Sequence, residues 1–169
     1  FQIPPSYRKF RAYDHGRAKP ACCLWVAIDY DGRAIVYREL YAAGLDVDEL
    51  AKEIHKLSAG ETYEWSVADP SIFAKTGMVD AYGGQTIAEG FARQGVNFYP
   101  ASNRRVDGWS LMHHYLRWDE KKEPRLVYFE TCRDSIRTIP ALIHDENKAE
   151  DIDTDGEDHA GDTVRYFLS

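Results

Sequence analysis

A carboxylate at the core-facing end of the first predicted strand constrains the fold of this chain more than any other feature. Polar and apolar side chains alternate through residues 7–14, and Phe10, Ala12 and Asp14 share one face of the strand. A carboxylate that faces a core is costly unless something pairs with it, and a metal ion is one such partner. The alternative is that Asp14 only caps a turn.

Length and composition indicate one folded domain. The chain has 169 residues, enough for a single domain over residues 1–169, and it is 44% hydrophobic, which suits a buried core. No apolar run is long enough for a membrane span, so no membrane partner is expected. The three cysteines form no Cys-x-x-Cys pair, so neither a zinc site nor a disulfide framework is predicted, and a reducing cytoplasm fits best. The first residue is not Met, which suggests a domain excised from a longer protein.

The charge is distributed unevenly along the chain. The net charge is −7, and residues 145–158, with eight acids and one lysine, account for all of it. The first 19 residues instead carry five bases against one acid. This basic leading segment includes Arg17 and Lys19, which would contact phosphates if the chain binds DNA. Arg104 and Arg105, at the start of a predicted helix, have the same predicted role, although a solvated helix start explains them equally well.

The order of predicted elements indicates an α/β fold with a mixed sheet covered by helices. Three antiparallel strands come first, at 8–14, 21–30 and 34–41, and Asp31-Gly32 forms the turn between the second and the third. Strand–helix alternation follows, which is typical of parallel crossovers. The later predicted elements are helices at 46–57, 85–94, 104–120, 131–143 and 158–168, strands at 63–68, 96–99 (ended by Pro100) and 126–129, and loops at 71–84 and 145–157.

Two of the predicted strands end in aspartates. Asp14 ends the first strand and Asp69 follows the fourth, so the two carboxylates converge if these strands are parallel neighbours. Otherwise Asp69 only begins an Asp-Pro turn. The final helix adds Asp158 and Asp162, four residues apart on one face, where like charges repel unless a cation lies nearby. Asp158 also suits a helix cap.

Carboxylates from two strand ends and a helix can bind hard divalent cations. Oxygen ligands without cysteine favour Mg²⁺ or Mn²⁺ over zinc. Two such ions can activate water and stabilise the leaving 3′ oxygen in phosphodiester cleavage. A competing interpretation is a calcium loop at residues 151–162, whose Asp-x-Asp-x-Asp-Gly start matches an EF-hand but whose twelfth position is Asp162 rather than Glu.

The motifs together resemble the C-terminal nuclease domain of the large terminase subunit of tailed bacteriophages. The resemblance extends over nearly the whole chain. Its parts are Arg11-Ala-Tyr-Asp14-His-Gly, Trp25-Val-Ala-Ile-Asp-Tyr-Asp-Gly32, Tyr37-Arg-Glu39, Ala68-Asp69-Pro70-Ser71 and Asp158-His159-x-x-Asp162-x-x-Arg165-Tyr166.

This resemblance implies an RNase H-like fold and a metal-dependent endonuclease that cuts concatemeric viral DNA during genome packaging. It implies that Asp14, Asp69 and Asp162 are catalytic, that Asp158 joins them as a metal ligand, and that the cofactor is a pair of Mg²⁺ or Mn²⁺ ions. His159 is a further candidate for a metal ligand or a phosphate contact.

The resemblance also implies the partners of such a domain. They are double-stranded DNA, a terminase ATPase domain, the small terminase subunit and the portal protein, in the cytoplasm of the host cell. No Gly-x-x-x-x-Gly-Lys-Ser/Thr motif occurs, so this chain is not expected to hydrolyse ATP and the N-terminal ATPase domain is expected to be absent.

Two other classes of function stay open at this point. One is another RNase H-like nuclease, such as a junction resolvase or a transposase core, with the same chemistry on a different DNA substrate. The other is a calcium-binding or interaction module without enzymatic activity, built on residues 151–162.

Overall fold

A mixed sheet with helices against it forms the body of the molecule. The computed structural model describes residues 1–16, 18–79, 83–101, 124–138, 144–145, 148–152, 163–164 and 167. In chain order the elements are β1 (Arg8–Asp14), β2 (Ala21–Ile28), β3 (Ala34–Ala42), α1 (Val47–Leu57), β4 (Trp65–Ala68), a 3₁₀ helix (Pro70–Phe73), α2 (Ile87–Arg93), β5 (Tyr99–Pro100), β6 (Leu126–Tyr128), α3 (Arg133–Thr138), β7 (His144–Asp145) and β8 (Lys148–Ile152).

The main sheet has the strand order β5-β4-β1-β2-β3-β6. β2 pairs antiparallel with both β1 and β3, whereas β1 with β4, β4 with β5 and β3 with β6 are parallel pairs. Five strands therefore run in one direction and β2 alone runs against them. The carboxyl ends of β1, β4 and β5 consequently lie side by side, at what we call the carboxyl edge of the sheet. The predicted mixed sheet, three antiparallel strands followed by parallel strands, is confirmed.

The two faces of the sheet carry separate hydrophobic cores. On the back face Tyr13, Trp25 and Tyr37 pack with residues of α1 and α2. On the front face Leu24, Val26 and Val36 pack with Leu126, Cys132 and Val164. The neighbours Cys22 and Cys23 lie in different cores, as strand alternation predicts, and the described cysteines are buried and free.

A buried arginine links β1 to β4 on the back face. Arg11 is 8% exposed, and its Nε donates to Oγ of Ser66, its partner in the strand register, at 2.9 Å. Its Nη1 donates to Ser58 Oγ at 3.1 Å, and the Trp25 indole N–H donates to the same oxygen at 3.0 Å. Breaking these buried bonds would leave a charged group without partners, so the contacts favour this register of β1 against β4 over a shifted one.

The crossover from β3 to β4 runs through α1. The predicted start of this helix at Asp46 is confirmed. Asp46 caps the helix, and its side chain accepts a hydrogen bond from the Glu49 backbone N–H at 2.9 Å. Leu50, Ala51 and Ile54 form the buried side of the helix. The turn between β2 and β3 is also confirmed, because Gly32 has a φ of +80° and its N–H donates to the Asp29 carbonyl at 3.1 Å.

The fifth strand differs from its prediction. The sequence predicts a strand at 96–99 that Pro100 ends. In the structure β5 is Tyr99–Pro100, so the proline belongs to the strand. Proline is tolerated because β5 is an edge strand, and the next ladder donor is the N–H of Ala101, which bonds to the Ala68 carbonyl at 3.0 Å.

The acidic segment also differs from its prediction. A loop was predicted over 145–157, but β7 and β8 pair antiparallel and form a two-stranded sheet. The prediction was wrong there because strand pairing uses backbone groups and is compatible with charged side chains. Asp151 and Ile152, the first positions of the alternative calcium loop, therefore lie in a strand rather than after the helix that an EF-hand requires.

Several predicted segments end early or lie outside the described residues. The predicted loop at 71–84 begins with the 3₁₀ helix, and α3 ends at Thr138, within the helix predicted at 131–143. The helix predicted at 104–120 lies outside the described residues. In the helix predicted at 158–168, the described residues Thr163, Val164 and Phe167 are helical. No helix in the described part of the chain has the length and apolar character that crossing a bilayer requires.

Candidate active site

Asp14 lies at the last position of β1 and faces the front of the sheet. It is 6% exposed, and its partner in the register is Cys22 of the front core. Phe10, four residues earlier on the same face, packs against Phe167 with ring centroids 5.9 Å apart. The strand alternation predicted from the sequence is therefore correct, and it directs a nearly buried carboxylate towards the helical segment near the end of the chain.

Asp69 follows β4 directly and lies beside the end of β1. Its backbone N–H donates to the Tyr13 carbonyl at 3.0 Å, so the parallel ladder extends one residue beyond β4. Its Oδ1 accepts a hydrogen bond from the Ser71 N–H at 2.9 Å and caps the 3₁₀ helix. Asp69 thus begins a turn, as the alternative interpretation of Asp69 predicts. It is also the neighbour of Asp14 at the carboxyl edge, because β1 and β4 are parallel neighbours.

The helical segment at the end of the chain packs over this corner of the sheet. The side chain of Thr163 hydrogen-bonds to Cys22, the register partner of Asp14. Phe167 stacks on Trp65 of β4, with centroids 5.7 Å apart and an interplanar angle of 29°. These contacts bring Thr163 and Phe167 against the front face of β1, β2 and β4. Asp158, His159 and Asp162 lie outside the described residues, and Asp162 directly precedes Thr163 in the chain.

Tyr13 and His15 flank Asp14 and form a pair that the sequence did not single out. The Tyr13 hydroxyl and Nδ1 of His15 are 2.8 Å apart, within hydrogen-bond distance. Burial raises the pKa of Tyr13, with smaller contributions from the neighbouring thiols and from Asp14 and Asp69, so its phenol stays protonated. Burial lowers the pKa of His15, against an opposing effect of Asp69. The only sequence signal was the position of His15 directly after the strand-end aspartate.

The cysteine nearest the site is unsuited to metal binding. Burial raises the pKa of Cys22 well above its ordinary value, and the Thr163 hydrogen bond only partly offsets this effect. A cysteine side chain binds a metal ion as the thiolate, which this raised pKa disfavours. Cys22 is therefore a poor ligand, whereas the carboxylate oxygens at this corner are donors that hard cations such as Mg²⁺ prefer. Among the described residues no group of three or more His, Cys, Asp or Glu residues is arranged to hold a metal ion.

Of the four residues predicted to contact DNA, one falls in the described part of the chain. Lys19 is exposed in the loop between β1 and β2, which leaves the sheet at the carboxyl edge. Arg17, Arg104 and Arg105 lie outside the described residues. The contact of all four with DNA stays a prediction.

Gly16 lets the loop after Asp14 close tightly. A Cβ on Gly16 would lie 2.5 Å from the Lys19 carbonyl oxygen and 2.6 Å from that of Pro20. These are backbone atoms, so a side chain could be admitted only by moving the loop. Gly16 therefore helps to hold the chain that follows the carboxylate.

We expect Gly16→Ala to lower the free energy of unfolding by about 3 kcal/mol, because its methyl group overpacks against backbone. Urea denaturation of both proteins measures the difference. Gly44→Ala is the matched control, because its Cβ would meet nothing within 4 Å and its φ of +79° adds only the cost of a left-handed alanine, about 1 kcal/mol. Equal losses for the two variants would contradict the close approach at Gly16.

Several solved structures that are similar to this chain are large terminase proteins of bacteriophages. The P22 large terminase nuclease domain matches with a TM-score of 0.75 and 17% identity, over 98% of this chain and 82% of that one. The large terminase nuclease of the thermophilic phage G20c, in a structure with bound magnesium, matches with a TM-score of 0.66 and 12% identity, over 98% and 82%. No family model matches the sequence, and no curated protein matches it at a significant level.

This chain has the fold of the large terminase nuclease domain. The RNase H-like fold class that the resemblance implied is thereby confirmed. The large terminase of another thermophilic bacteriophage, solved in complex with ADP, also matches, with a TM-score of 0.75 and 17% identity. This chain spans 40% of the length of that protein, and the match covers 98% of this chain. At these identities the likeness to terminase nuclease domains is one of fold, and the chemistry has to be argued from the residues of the site.

Proposed function

We propose that this domain is a divalent-metal-dependent endonuclease that cuts concatemeric double-stranded DNA during viral genome packaging. The observation that carries the proposal is the meeting of three segments at one corner of the sheet. β1 and β4 are parallel neighbours, β1 ends at Asp14 and Asp69 directly follows β4, and Thr163 and Phe167 pack on the same corner. The G20c nuclease, which has this fold, has been solved with bound magnesium and with bound cobalt, and these two structures further support a metal-dependent activity.

In this proposal Asp14, Asp69, Asp158 and Asp162 hold two Mg²⁺ or Mn²⁺ ions, and Asp14, Asp69 and Asp162 are the catalytic set. When bound, such a pair of ions supplies a water-derived nucleophile and stabilises the leaving 3′ oxygen. The near-complete burial of Asp14 keeps its carboxylate in one position. The hydrogen bond from Ser71 orients Asp69 and leaves its Oδ2 without a hydrogen-bond donor among the described residues.

DNA would be held through its phosphates rather than its bases. Lys19 is exposed at the carboxyl edge, and Arg17, Arg104 and Arg105 are the further cations that we assign to this role. Cutting during packaging needs little sequence information from the nuclease, and phosphate contacts supply affinity without it. The proposed partners are the terminase ATPase domain, the small terminase subunit and the portal protein, and the proposed compartment is the cytoplasm of the host.

The test is Mn²⁺- or Mg²⁺-dependent cleavage of supercoiled plasmid by the 169-residue chain, combined with the variant Asp69→Asn. Asparagine keeps the oxygen that caps the 3₁₀ helix but removes the charge, so we expect cleavage to fall by about 10²-fold with little change in melting temperature.

Asp46→Asn is the matched control for Asp69→Asn. Asp46 caps α1 through the same kind of bond, also 2.9 Å long, and it is not one of the proposed ligands. The control should cut at the rate of the unsubstituted chain. Equal activity of Asp69→Asn and Asp46→Asn would contradict the role of Asp69, and absence of metal-dependent cleavage by the unsubstituted chain would contradict the proposed function.

A further inference from the structure

An exposed tyrosine lies on the edge strand next to the proposed site. Tyr99 in β5 is 65% exposed, whereas Phe98 before it is 9% exposed. Five other large apolar side chains in the described part of the chain are exposed, and none of them lies on a strand of the main sheet: Phe1, Tyr30, Met78, Val79 and Ile136. Burial in a core therefore does not explain an aromatic residue at position 99.

The strand register assigns Tyr99 to the front face, the face of Asp14. Tyr99 pairs with Val67 of β4. Val67 lies two residues after Trp65, whose ring stacks on Phe167 at the front, and alternation gives residues two apart the same face. On the opposite face Phe98 stacks on Tyr13, with centroids 5.3 Å apart and an interplanar angle of 17°.

The backbone around Tyr99 is held firmly, although the side chain is exposed. Phe98 also packs edge-on against Phe91 of α2, with centroids 5.3 Å apart. After the strand, the Ala101 N–H bonds to the Ala68 carbonyl at 3.0 Å. No hydrogen bond or ring contact joins the Tyr99 side chain to another described residue. The strand therefore holds the Tyr99 side chain in a fixed place, and no contact among the described residues occupies its hydroxyl. A preorganised contact to a ligand requires this arrangement.

The distance from Tyr99 to the proposed site suits a DNA strand. β5 lies two strands from β1, about 10 Å across the sheet, and Tyr99 is about two residues below the level of Asp14, or about 7 Å. A phosphodiester backbone that begins at Asp14 and crosses β4 at Val67, two residues beyond the Trp65 that Phe167 covers, would therefore reach Tyr99 about two nucleotides from the cut.

From this geometry we propose that Tyr99 is a positioning residue for the substrate, and that its hydroxyl donates a hydrogen bond to a DNA phosphate about two nucleotides from the scissile bond. The proposal rests on the proposed endonuclease function and adds to it a contact on β5. A phosphate is the expected acceptor because the bases of an intact duplex stay stacked and out of reach of this flat strand, whereas its phosphates are exposed.

The experiment measures binding of a 30-base-pair duplex, with Ca²⁺ in place of Mg²⁺ to hold cleavage back, and then the cleavage kinetics in Mn²⁺. Tyr99→Phe removes only the hydroxyl, and we expect about tenfold weaker binding. Tyr99→Ala should bind no better than Tyr99→Phe. In cleavage the loss should be larger in KM than in kcat, and the melting temperature should not change because the side chain is exposed.

Two controls separate this contact from charge and from nonspecific loss of an aromatic surface. Tyr30→Ala removes another exposed tyrosine, 81% exposed, in the turn after β2 at the opposite edge of the sheet, and should leave binding unchanged. Lys19→Ala should reduce the slope of log Kd against log salt concentration by about 1, which corresponds to the loss of one phosphate contact. The Tyr99 variants change no charge and should leave that slope unchanged.

The outcomes distinguish this proposal from the function on which it rests. If the unsubstituted chain cuts DNA and Tyr99→Phe and Tyr99→Ala both bind as Tyr30→Ala does, the Tyr99 contact is overturned and the nuclease stands. If Tyr99→Ala weakens binding but Tyr99→Phe does not, the hydrogen bond to phosphate is overturned. If the unsubstituted chain does not cut with either metal, the nuclease function and this contact are both overturned.

Discussion

Replacing Asp14 by asparagine is expected to lower metal-dependent plasmid cleavage by about 10³-fold while the protein stays folded. Asp14 is nearly buried, and it lies where β1 meets β4 and the segment that contains Thr163. Asparagine has almost the same shape but lacks the charge that a divalent ion requires. Cleavage of supercoiled plasmid over a titration of Mn²⁺ measures the effect.

Asp29→Asn is the matched control for Asp14→Asn. Asp29 is also a partly buried aspartate next to a strand, but it lies in the turn between β2 and β3, at the opposite edge of the sheet. Its Oδ1 accepts hydrogen bonds from the backbone N–H groups of Asp31 and Arg33. We expect this variant to cut normally, with a lower melting temperature if the turn is weakened. Full activity of Asp14→Asn, with Asp29→Asn equally active, would overturn the proposed site.

Asp162→Asn should reduce cleavage by a similar factor, about 10³-fold, because we propose that Asp162 supplies the third carboxylate of the same site. The observation that supports this role is that its neighbour in the chain, Thr163, hydrogen-bonds to Cys22, the partner of Asp14 in the strand register. Asp14→Asn and Asp162→Asn together should cost little more than either alone, because residues that act as a unit have non-additive effects.

An acid within the acidic segment supplies the control for Asp162. Asp153→Asn removes one charge of the segment that produces the net charge of −7, but Asp153 is not one of the proposed ligands. It should cut at the rate of the unsubstituted chain. The alternative calcium loop makes the opposite prediction, because Asp153 is its third position and would be a ligand. Tight Ca²⁺ binding that depends on Asp153 and not on Asp14, measured by calorimetry, would favour that loop over the nuclease site.

The local features of this fold were determined by short stretches of sequence. The alternation of side chains in β1 predicted the strand and the face of Asp14, and Asp46 with Glu49 predicted the start of α1. Asp31-Gly32 predicted the turn, since a glycine with positive φ satisfies it locally. In each case the decisive interactions join residues at most a few positions apart. The local structure can therefore be predicted from the pattern without the rest of the molecule.

The predictions were wrong where the local sequence pattern does not show which strand, if any, pairs with the segment. Pro100 was read as the end of a strand, but an edge position makes its missing N–H harmless. The acidic residues at 145–157 were read as a loop, but the backbone of β7 and β8 pairs whatever charges it carries. Tyr99 had no distinguishing pattern at all, because its exposure follows from the end of the sheet at β5.

The candidate carboxylates, the face of β1 on which Asp14 lies and the mixed α/β sheet all follow from the amino-acid sequence alone. The parallel pairing of β4 with β1, which the Arg11–Ser66 hydrogen bond joins across 55 positions, and the contact of Thr163 with Cys22 are seen only in the folded molecule. The physical reason is that strand pairing and the covering of a sheet face depend on which distant apolar surfaces are buried together. A local pattern identifies such a surface, but it does not identify the surface that covers it.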